Sequence, residues 1–489
     1  MNAGAASAIA VNQHGLSFLQ SKPQKWDVDV FINEFQAVVT SLTTEAVEFD
    51  MINVDCTFAN ALRRILIAEV PSFAIDRVYL HQNTSVIADE TFCHRLGLVP
   101  LNVDAELMGF SNNELPVSDD LDAFDPNCHL IFDLDVKAER PVVMGDGDGL
   151  SKDSFQSVPL YSSSLKWVPL PGQEDNFRAD CTRQPGPING KILLNKLAVG
   201  DEIQARCLAV KGVGRDHAKF SPVSAAFYKL LPSIEIRGTV RGELAKKLQR
   251  SFAKGVINVR ICLHFCLFHQ VDPRTQIATV ADPRLDNGSR EHLRHPELAD
   301  LVHVFLNPRH FIFTVETIAP IYRPPDVLVK YAIDVMLSKC AHYLAIVERP
   351  DFSVGLPSCP DVDVSLADIG NEETRRTTLN GRVVGLDVLF VSPDLRRGTF
   401  RFTGEDHTLG AALRYCILRS ETVKLCGYCQ PHPLEDTITF EIQSRGEPAV
   451  AVLRNGLYCL RACFEHIKRK FKSAVKKVQR QNPKSTSSD

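Results

Sequence analysis

Two stretches of the sequence carry apolar residues at alternating spacings of three and four, the pattern of a long amphipathic helix. The first stretch contains Val329, Ile333, Met336, Cys340, Tyr343 and Val347. The second contains Leu453, Leu457, Leu460, Phe464, Ile467, Phe471, Ala474 and Val478. Each stripe predicts one long helix, whose apolar face packs either on its own sheet or on the other helix.

Upstream of each stripe lies one copy of a short repeat, in residues 53–67 and 404–418. Without gaps, Asp55, Thr57, Ala61, Leu62 and Arg63 align with Asp406, Thr408, Ala412, Leu413 and Arg414. Each copy predicts a helix capped by Asp or Thr, after strands expected over 31–49 and over 388–402, the latter broken at 393–398. Two half-modules with the same order of elements suggest a pseudo-two-fold pair within one chain.

Turn signals and polar stretches divide the remaining chain. We expect an α+β protein with two modules of antiparallel sheet and long helices. The predicted segments are a disordered N-terminus at 1–28, a first module at 29–101 plus 269–348, an inserted β-rich domain at 102–268, a linker at 349–381, a second module at 382–479 and a disordered tail at 480–489.

Composition and charge narrow the function classes. Apolar residues make up 44% of the chain and charged residues 23%, which is typical of a globular protein. The formal net charge of −4 lacks the basic excess of a protein that coats nucleic acid. No Lys or Arg precedes Lys22, and the apolar stretch 256–268 is short and interrupted, so we expect neither a signal peptide nor a membrane span. The basic run 468–477 predicts a solvated helix end, with nucleic-acid contact as the alternative.

Candidate catalytic and metal-binding motifs are incomplete. Cys426 and Cys429 form a CxxC pair without a second pair, and Cys459 and Cys463 are expected to be small core residues. Cys262 and Cys266 lie in a predicted strand, and residues 144–150 predict a tight turn and not a calcium loop. Asp216, His217 and Ser221 are neighbours in sequence, which does not make a catalytic triad. We therefore expect no catalytic residues, no metal and no cofactor.

Several segments of the first half resemble the alpha-like family of multisubunit RNA polymerases. The resemblance rests on residues 58–71, 83–86, 94–101, 164–173 and 214–223, and it covers residues 29–347. Within the family these segments are most similar to the larger alpha-like subunits shared by RNA polymerases I and III. The cysteines Cys128, Cys181, Cys207, Cys262 and Cys266 are dispersed, which agrees with that type and not with the metal-binding insert of some relatives.

The second half is similar to the smaller alpha-like partner of the same enzymes. Residues 404–410, 426–433 and 440–443 carry this likeness, over about 383–478. The chain therefore resembles both halves of a heterodimer in one polypeptide, produced either by a genuine fusion or by a joined gene model. The family usually has Asn where this chain has Ala411, whereas the first copy keeps Asn60.

The resemblance implies a non-catalytic scaffold of the nucleus, in the nucleolus and nucleoplasm. Its two modules pair through their helices, and the large catalytic subunits and small polymerase subunits assemble on them, without direct nucleic-acid contact. A stand-alone enzyme or nucleic-acid-binding protein on the same fold is the alternative. The expected interface residues are Asn60, Leu62, Arg63, Arg64, Glu69, His94, Arg95, Gly97, Ile333, Met336, Cys340, Asp406, His407, Thr408, Leu409, Leu413, Arg414, Leu457, Leu460 and Phe464.

Two adjacent arginines of the first repeat, Arg63 and Arg64, project at different angles from their helix, so they cannot both enter one core face. We expect at least one to form charge-assisted hydrogen bonds to a large subunit, with Arg414 as its counterpart. Pairing with a local acid such as Glu69 is the alternative.

Overall fold

The computed structural model describes residues 8–12, 15–19, 27–111, 115–139, 157–177, 184–261, 276–319, 323–349, 376–379 and 382–481. The strands of these residues are β1 (Ala8–Asn12), β2 (Gly15–Leu19), β3 (Gln36–Leu42), β4 (Ala46–Ile52), β5 (Pro71–Asn83), β6 (Leu101–Asn102), β7 (His129–Lys137), β8 (Val158–Tyr161), β9 (Lys166–Val168), β10 (Gly186–Pro187), β11 (Leu193–Leu197), β12 (Glu202–Val213), β13 (Val223–Ile236), β14 (Ile257–Ile261), β15 (Gln276–Val280), β16 (Val302–Thr317), β17 (Arg376–Leu379), β18 (Arg382–Val391), β19 (Arg397–Thr403), β20 (Val423–Cys429) and β21 (Thr437–Ser444).

The helices of the same residues are α1 (Val28–Glu34), α2 (Cys56–Ala68), α3 (Asp89–Gly97), α4 (Gln173–Phe177), α5 (Gly242–Arg250), α6 (Pro296–Ala299), α7 (Pro325–Val347), α8 (His407–Leu418) and α9 (Ala449–Gln481). In this part of the chain, no helix has both the length and the apolar character needed to cross a membrane.

One compact unit draws on the described residues of 1–40, 48–59 and 227–313. Its sheet has the strand order β2-β1-β16-β4-β3, and β13 also pairs with β16. The rings of Phe49 and Phe313 stack at 5.0 Å between centroids within its core. Asp50 of β4 accepts from Arg284 at 2.7 Å and lies 2.9 Å from His310 Nε2, so a buried acid ties the sheet to a neighbouring turn.

A second compact unit draws on the described residues of 41–47, 60–226 and 314–481. Its two larger sheets are antiparallel and have the orders β5-β12-β7-β9 and β17-β18-β19-β21-β20, and β10 pairs with β6 and β11 with β8 in two-stranded sheets. Helix α9 packs against α7 and α8. Both long helices therefore belong to one core, although more than a hundred residues separate them in the chain.

The two repeat copies begin their helices in the same way. The Asp55 Oδ1 atom accepts a hydrogen bond from the Thr57 N–H at 3.0 Å, and Asp406 Oδ1 accepts one from the Thr408 N–H at 2.7 Å. Each bond satisfies one of the free N–H groups at a helix start. The predicted caps of α2 and α8 are thereby confirmed.

Both apolar stripes are confirmed as buried faces. Every stripe residue of α7 is buried, and so are the stripe residues of α9 from Leu453 to Phe471, while Ala474 and Val478 are half-buried. The strands predicted over 388–402, with their break, correspond to β18 and β19.

Several predicted boundaries are wrong. Strands β1 and β2 lie in the segment expected to be disordered, because β1 pairs with β16 over a long range. Phe31 lies in α1 and not in a strand, since Asp27 caps a short helix there. Strand β5 lies outside the expected insert, yet it joins the sheet of β12 and β7, which lie inside it. Strand β13 lies inside the expected insert, yet it pairs with β16 of the first module.

The predicted linker and the predicted tail differ from the structure at their ends. Strand β17 lies within the expected linker, where it pairs with β18, and α9 continues to Gln481. The rest of the linker, the last eight residues, residues 144–150, and Cys181, Cys262 and Cys266 lie outside the described residues.

Candidate assembly interface

A buried lysine joins the elements around the two repeat helices. Lys339 Nζ lies 2.7 Å from Glu69 Oε2 and 2.8 Å from Glu405 Oε2. Tyr343, one turn further along α7, donates its hydroxyl to Glu405 Oε1 at 3.1 Å. Glu69 directly follows α2 and Glu405 directly precedes the cap of α8. One ammonium group thus connects the end of the first repeat helix with the start of the second.

Burial controls the charges of this cluster. The side chains of Lys339 and Glu405 are only 8% and 1% exposed. Desolvation raises the pKa of Glu405 to about 6, against the attraction of Lys339, and the negative charge of Glu69 adds to the rise. Burial would lower the pKa of Lys339, but the two carboxylates outweigh it and raise that pKa. Lys339 therefore carries its charge between two acids.

The cap of the second repeat helix receives an arginine from the first. Arg64 Nε donates to Thr408 Oγ1 at 2.8 Å, and its Nη2 donates to Asp406 Oδ2 at 2.9 Å. Arg215 Nη1 also lies 3.5 Å from Asp406 Oδ2. Burial opposes ionisation, yet the bonds from Thr408 and the charges of Arg64 and Arg215 lower the pKa of Asp406 to about 2. Asp406 is therefore ionised at neutral pH.

The ion pairs continue as an alternating chain. Arg215 pairs with Asp436, and Arg382 pairs with both Asp436, at 2.9 Å, and Asp216. Arg215 and Asp216 come from the turn after β12, whereas Arg382 begins β18 and Asp436 precedes β21. Each of the two parts of the chain that resemble different subunits therefore contributes both an arginine and an aspartate to these ion pairs.

A glycine allows Arg215 to reach this position. A Cβ atom on Gly214 would lie 2.1 Å from the carbonyl oxygen of Ile67, which no side chain tolerates. The close approach also lets the Arg215 N–H donate to the Ala68 carbonyl at 2.9 Å. The turn after β12 is thus bonded to the last turn of α2.

Helices α7 and α9 run antiparallel. Asp334 accepts from Lys468 Nζ at 2.5 Å, and Glu348 accepts from the hydroxyl of Tyr458. As the residue numbers rise along α7, those of their partners on α9 fall, so the two helices run in opposite directions. Between these polar links lie the buried residues Met336, Cys340, Leu460 and Phe464, and Ile333 and Leu457, directly beside the links, are buried as well.

The remaining predicted residues of the repeats fall into two groups. Leu62, Leu409 and Leu413 are buried. Arg63 donates to Asn60 Oδ1 through Nε at 3.1 Å and Nη2 at 2.9 Å. In the second repeat, Ala411 and Arg414 take the places of Asn60 and Arg63. Alanine has no side-chain acceptor, so this side-chain hydrogen bond is missing there, and Arg414 is exposed.

The predicted residues at the surface lie on two helices. His407 Nδ1 is 3.1 Å from the hydroxyl of Tyr428. On α3, His94 is exposed and Gly97 is half-buried. Arg95 donates to the carbonyls of Leu194 at 2.9 Å and Leu193 at 2.6 Å, so its guanidinium bonds to backbone carbonyls of its own chain.

Sequence reasoning missed the charged residues that hold the interface. Lys339, Arg215, Arg382, Glu405 and Asp436 were not among the expected site residues. A signal existed for three of them: Lys339 adjoins the apolar stripe, and Arg215 and Glu405 each follow a glycine in a motif used for the family resemblance. The groups around Lys339 bond to one another through ion pairs and a hydrogen bond, which is the arrangement of a fixed contact within the protein.

Comparisons with known proteins agree with this geometry. Two family models, both described as the RNA polymerase Rpb3/Rpb11 dimerisation domain, match this chain, one at residues 48–340 and the other at residues 397–470. The chain is similar to the DNA-directed RNA polymerases I and III subunit RPAC1 of Bos taurus, with 38% identity over 319 residues, 65% of this chain and 86% of that protein.

Two further relatives place the likeness within the polymerases. The subunit of the same name from Saccharomyces cerevisiae is 38% identical over 327 residues, 67% of this chain and 91% of that protein. The DNA-directed RNA polymerase II subunit rpb3 of Dictyostelium discoideum is 30% identical over 306 residues, 62% of this chain and 91% of that protein. The likeness is thus higher to the subunit named for polymerases I and III.

Proposed function

Because the chain belongs to the family of the RNA polymerase Rpb3/Rpb11 dimerisation domain, we propose that it is a non-catalytic assembly subunit of DNA-directed RNA polymerases I and III. Its two modules form an alpha-like heterodimer within one polypeptide. The large catalytic subunits and small polymerase subunits assemble on that heterodimer. The chain acts in the nucleus, in the nucleolus with polymerase I and in the nucleoplasm with polymerase III.

The observation that carries this proposal is the position of Lys339. It lies on the closing helix of the first family match, and its partner Glu405 directly precedes Asp406, the cap of the repeat helix in the second match. A buried ammonium group that loses its acids is costly, so the ion pair penalises any other pairing of the modules. Module pairing in cis supplies the platform that separate subunits would otherwise form by association.

The covalent connection of the two modules also favours their pairing within one chain, because it raises their effective concentration. A connection of about 30 residues within one polypeptide holds two modules at roughly millimolar effective concentration. Pairing in cis therefore does not depend on the concentration of a second subunit. The family's usual step of heterodimer formation becomes a folding step of one chain.

The surface offered to a large subunit includes Arg414. Arg64 is engaged by Asp406 and Thr408, and Arg63 is engaged by Asn60, so the first arginine pair serves contacts within the chain. Arg414 is exposed on α8 and lacks the neighbouring amide that Asn60 provides to Arg63. We assign Arg414, with His94 on α3, to contacts with large subunits.

The experiment is affinity isolation of the tagged chain from its native cell at moderate salt, followed by mass spectrometry. We expect the large subunits of both polymerases I and III, together with an intact chain of about 54 kDa. Recovery of the chain alone, of polymerase II subunits, or of two separate fragments would contradict the proposal. The intact mass also distinguishes a genuine fusion from a joined gene model.

A matched pair of variants tests the surface. Arg414→Ala should lower the recovery of large subunits while the chain stays folded, because an exposed cation contributes little to folding but much to a charge-assisted contact. Arg454→Ala on α9, also exposed, serves as the control and should leave recovery unchanged. Equal recovery with both variants would remove Arg414 from the interface.

A further inference from the structure

Three cysteine sulfur atoms converge in the helices of the second module. The Sγ atoms of Cys416, Cys459 and Cys463 all lie within 4.8 Å of one another. Cys416 belongs to α8, and the other two belong to α9. Cys416 and Cys463 are buried, and Cys459 is half-buried.

The sequence creates this convergence in two ways. Cys459 and Cys463 are four residues apart on a helix, so their side chains lie on one face. Gly456, one turn earlier, lets α8 approach closely, because a Cβ atom there would lie 2.4 Å from Cγ1 of Ile417. The neighbouring Cys416 is thereby brought against the two sulfur atoms of α9.

We infer that Cys416, Cys459 and Cys463 form a three-thiolate site for a divalent thiophilic ion such as Zn²⁺. Zinc–sulfur bonds of about 2.3 Å place the sulfur atoms of one site roughly 4 Å apart. The three sulfur atoms already lie within 4.8 Å of one another, so none is more than about 1 Å beyond that spacing. This assignment departs from the sequence-based expectation that Cys459 and Cys463 are core residues of a metal-free protein.

The charge balance favours a divalent ion. Binding of Zn²⁺ to three thiols releases three protons to solvent and leaves one negative charge on the complex. A monovalent ion would leave two negative charges, and buried charge is costly. Each thiol must lose its proton to bind the metal, so the affinity for the metal should increase with pH.

The site would have a structural role in the assembly and no catalytic role. It joins the repeat helix α8 to the long helix α9, which also packs against α7. Zinc would therefore stiffen the module that pairs with the first half of the chain. The inference is independent of the polymerase assignment, since metal binding is measured on the isolated chain.

A metal titration of the full-length, reduced and metal-stripped chain tests the site. Zn²⁺ affinity is measured by competition with a chelating dye, and Cd²⁺ is followed through its ultraviolet sulfur-to-metal charge transfer. We expect one tight equivalent in the wild-type chain. Cys416→Ser, Cys459→Ser and Cys463→Ser should each weaken it by more than about 100-fold, the upper cost of losing an outer-shell partner.

Two control variants separate ligation from general thiol chemistry. Cys207 is fully buried in β12 and Cys56 is exposed, so Cys207→Ser and Cys56→Ser should keep the tight equivalent. Cys459→Ser is the most informative ligand variant because its half-buried site tolerates a hydroxyl, and thermal melting verifies its fold. A wild-type chain without a tight equivalent, or an equal loss in Cys207→Ser, would overturn the inference.

Alkylation mapping of the wild-type chain gives an answer without any substitution. Zinc should protect Cys416, Cys459 and Cys463 from a thiol reagent in mildly destabilising urea, while exposed Cys429 and Cys56 react at unchanged rates. Equal labelling of the three cysteines with and without zinc would show that they are small core residues only.

Discussion

Arg64 of the first repeat helix donates to Asp406, the cap residue of the second, at 2.9 Å between Nη2 and Oδ2. Asp406 is the counterpart of Asp55, and the counterpart of Arg64 is Tyr415. A tyrosine carries no positive charge at neutral pH, so Tyr415 and Asp55 cannot form the equivalent ion pair. The two copies of the repeat are thus used differently: the first supplies the arginine and the second supplies the acid.

This ion pair should show measurable coupling in a double-mutant cycle of Arg64→Ala and Asp406→Ala. We expect a coupling of about 1 to 2 kcal/mol from urea unfolding of the full chain, because the contact is partly buried and charge-assisted. The exposed pair of Lys246 and Glu243 serves as the control, with about 0.3 kcal/mol. A coupling for Arg64 and Asp406 no larger than the control would exclude a specific contact.

Asp406 should also contribute a defined part of the acid sensitivity of the fold. Its pKa is lowered from 3.8 to about 2, so between these values the unfolded chain binds more protons than the folded chain. This contribution of roughly 2 kcal/mol is fully present above pH 4 and is lost as the pH falls towards 2.

The measurement is urea unfolding of the wild-type chain and of Asp406→Asn at several pH values. The difference in the free energy of unfolding between the two proteins should shrink as the pH falls from 4 to 2. A difference that stays constant across this range would mean that the carboxylate of Asp406 gains nothing from its partners.

Removal of the central cation should be among the most damaging single changes. Lys339→Met leaves Glu69 and Glu405 buried and facing each other without a cation, which should cost about 3 to 5 kcal/mol. Lys246→Met, at an exposed helix position, should cost less than about 0.5 kcal/mol. Unfolding midpoints in urea give both values.

A second substitution distinguishes charge repulsion from lost packing in the Lys339 variant. Adding Glu405→Gln removes one of the two opposed carboxylates, so the double variant should recover part of the lost stability. If Lys339→Met costs no more than Lys246→Met, or if Glu405→Gln gives no recovery, the ammonium group does not hold the cluster.

The close approach at Gly214 should not tolerate even one methyl group. Gly214→Ala places a carbon against the Ile67 carbonyl and should destabilise the chain by about 2 kcal/mol or more. Gly427→Ala in β20 is the control, because nothing lies within 4 Å of its added Cβ. Thermal melts of both variants check this, and similar melting temperatures would contradict the contact.

Features with a short sequence period could be predicted. The stripes from Val329 to Val347 and from Leu453 to Phe471 are buried because their spacing is that of a helix face. The caps at Asp55 and Asp406 followed from side chains that bond to nearby N–H groups. These features depend on residues within a few positions of one another.

Features that depend on distant partners could not be predicted. The charge of Lys339 is stabilised by Glu405, 66 residues away, and nothing local indicates that a lysine beside an apolar stripe is buried. The pairing of β5 with β12 joins residues more than a hundred positions apart, so the boundary of the insert was misplaced. Strand β1 was missed for the same reason, since its partner β16 lies near residue 306.

The measurement that tests the central claim most directly is the mass of the purified full-length chain in solution by light scattering, over a range of concentrations. If the two modules pair within one polypeptide, the chain is a monomer of about 54 kDa at every concentration. A stable dimer of twice that mass would mean that the modules pair between chains, and it would contradict the intramolecular heterodimer.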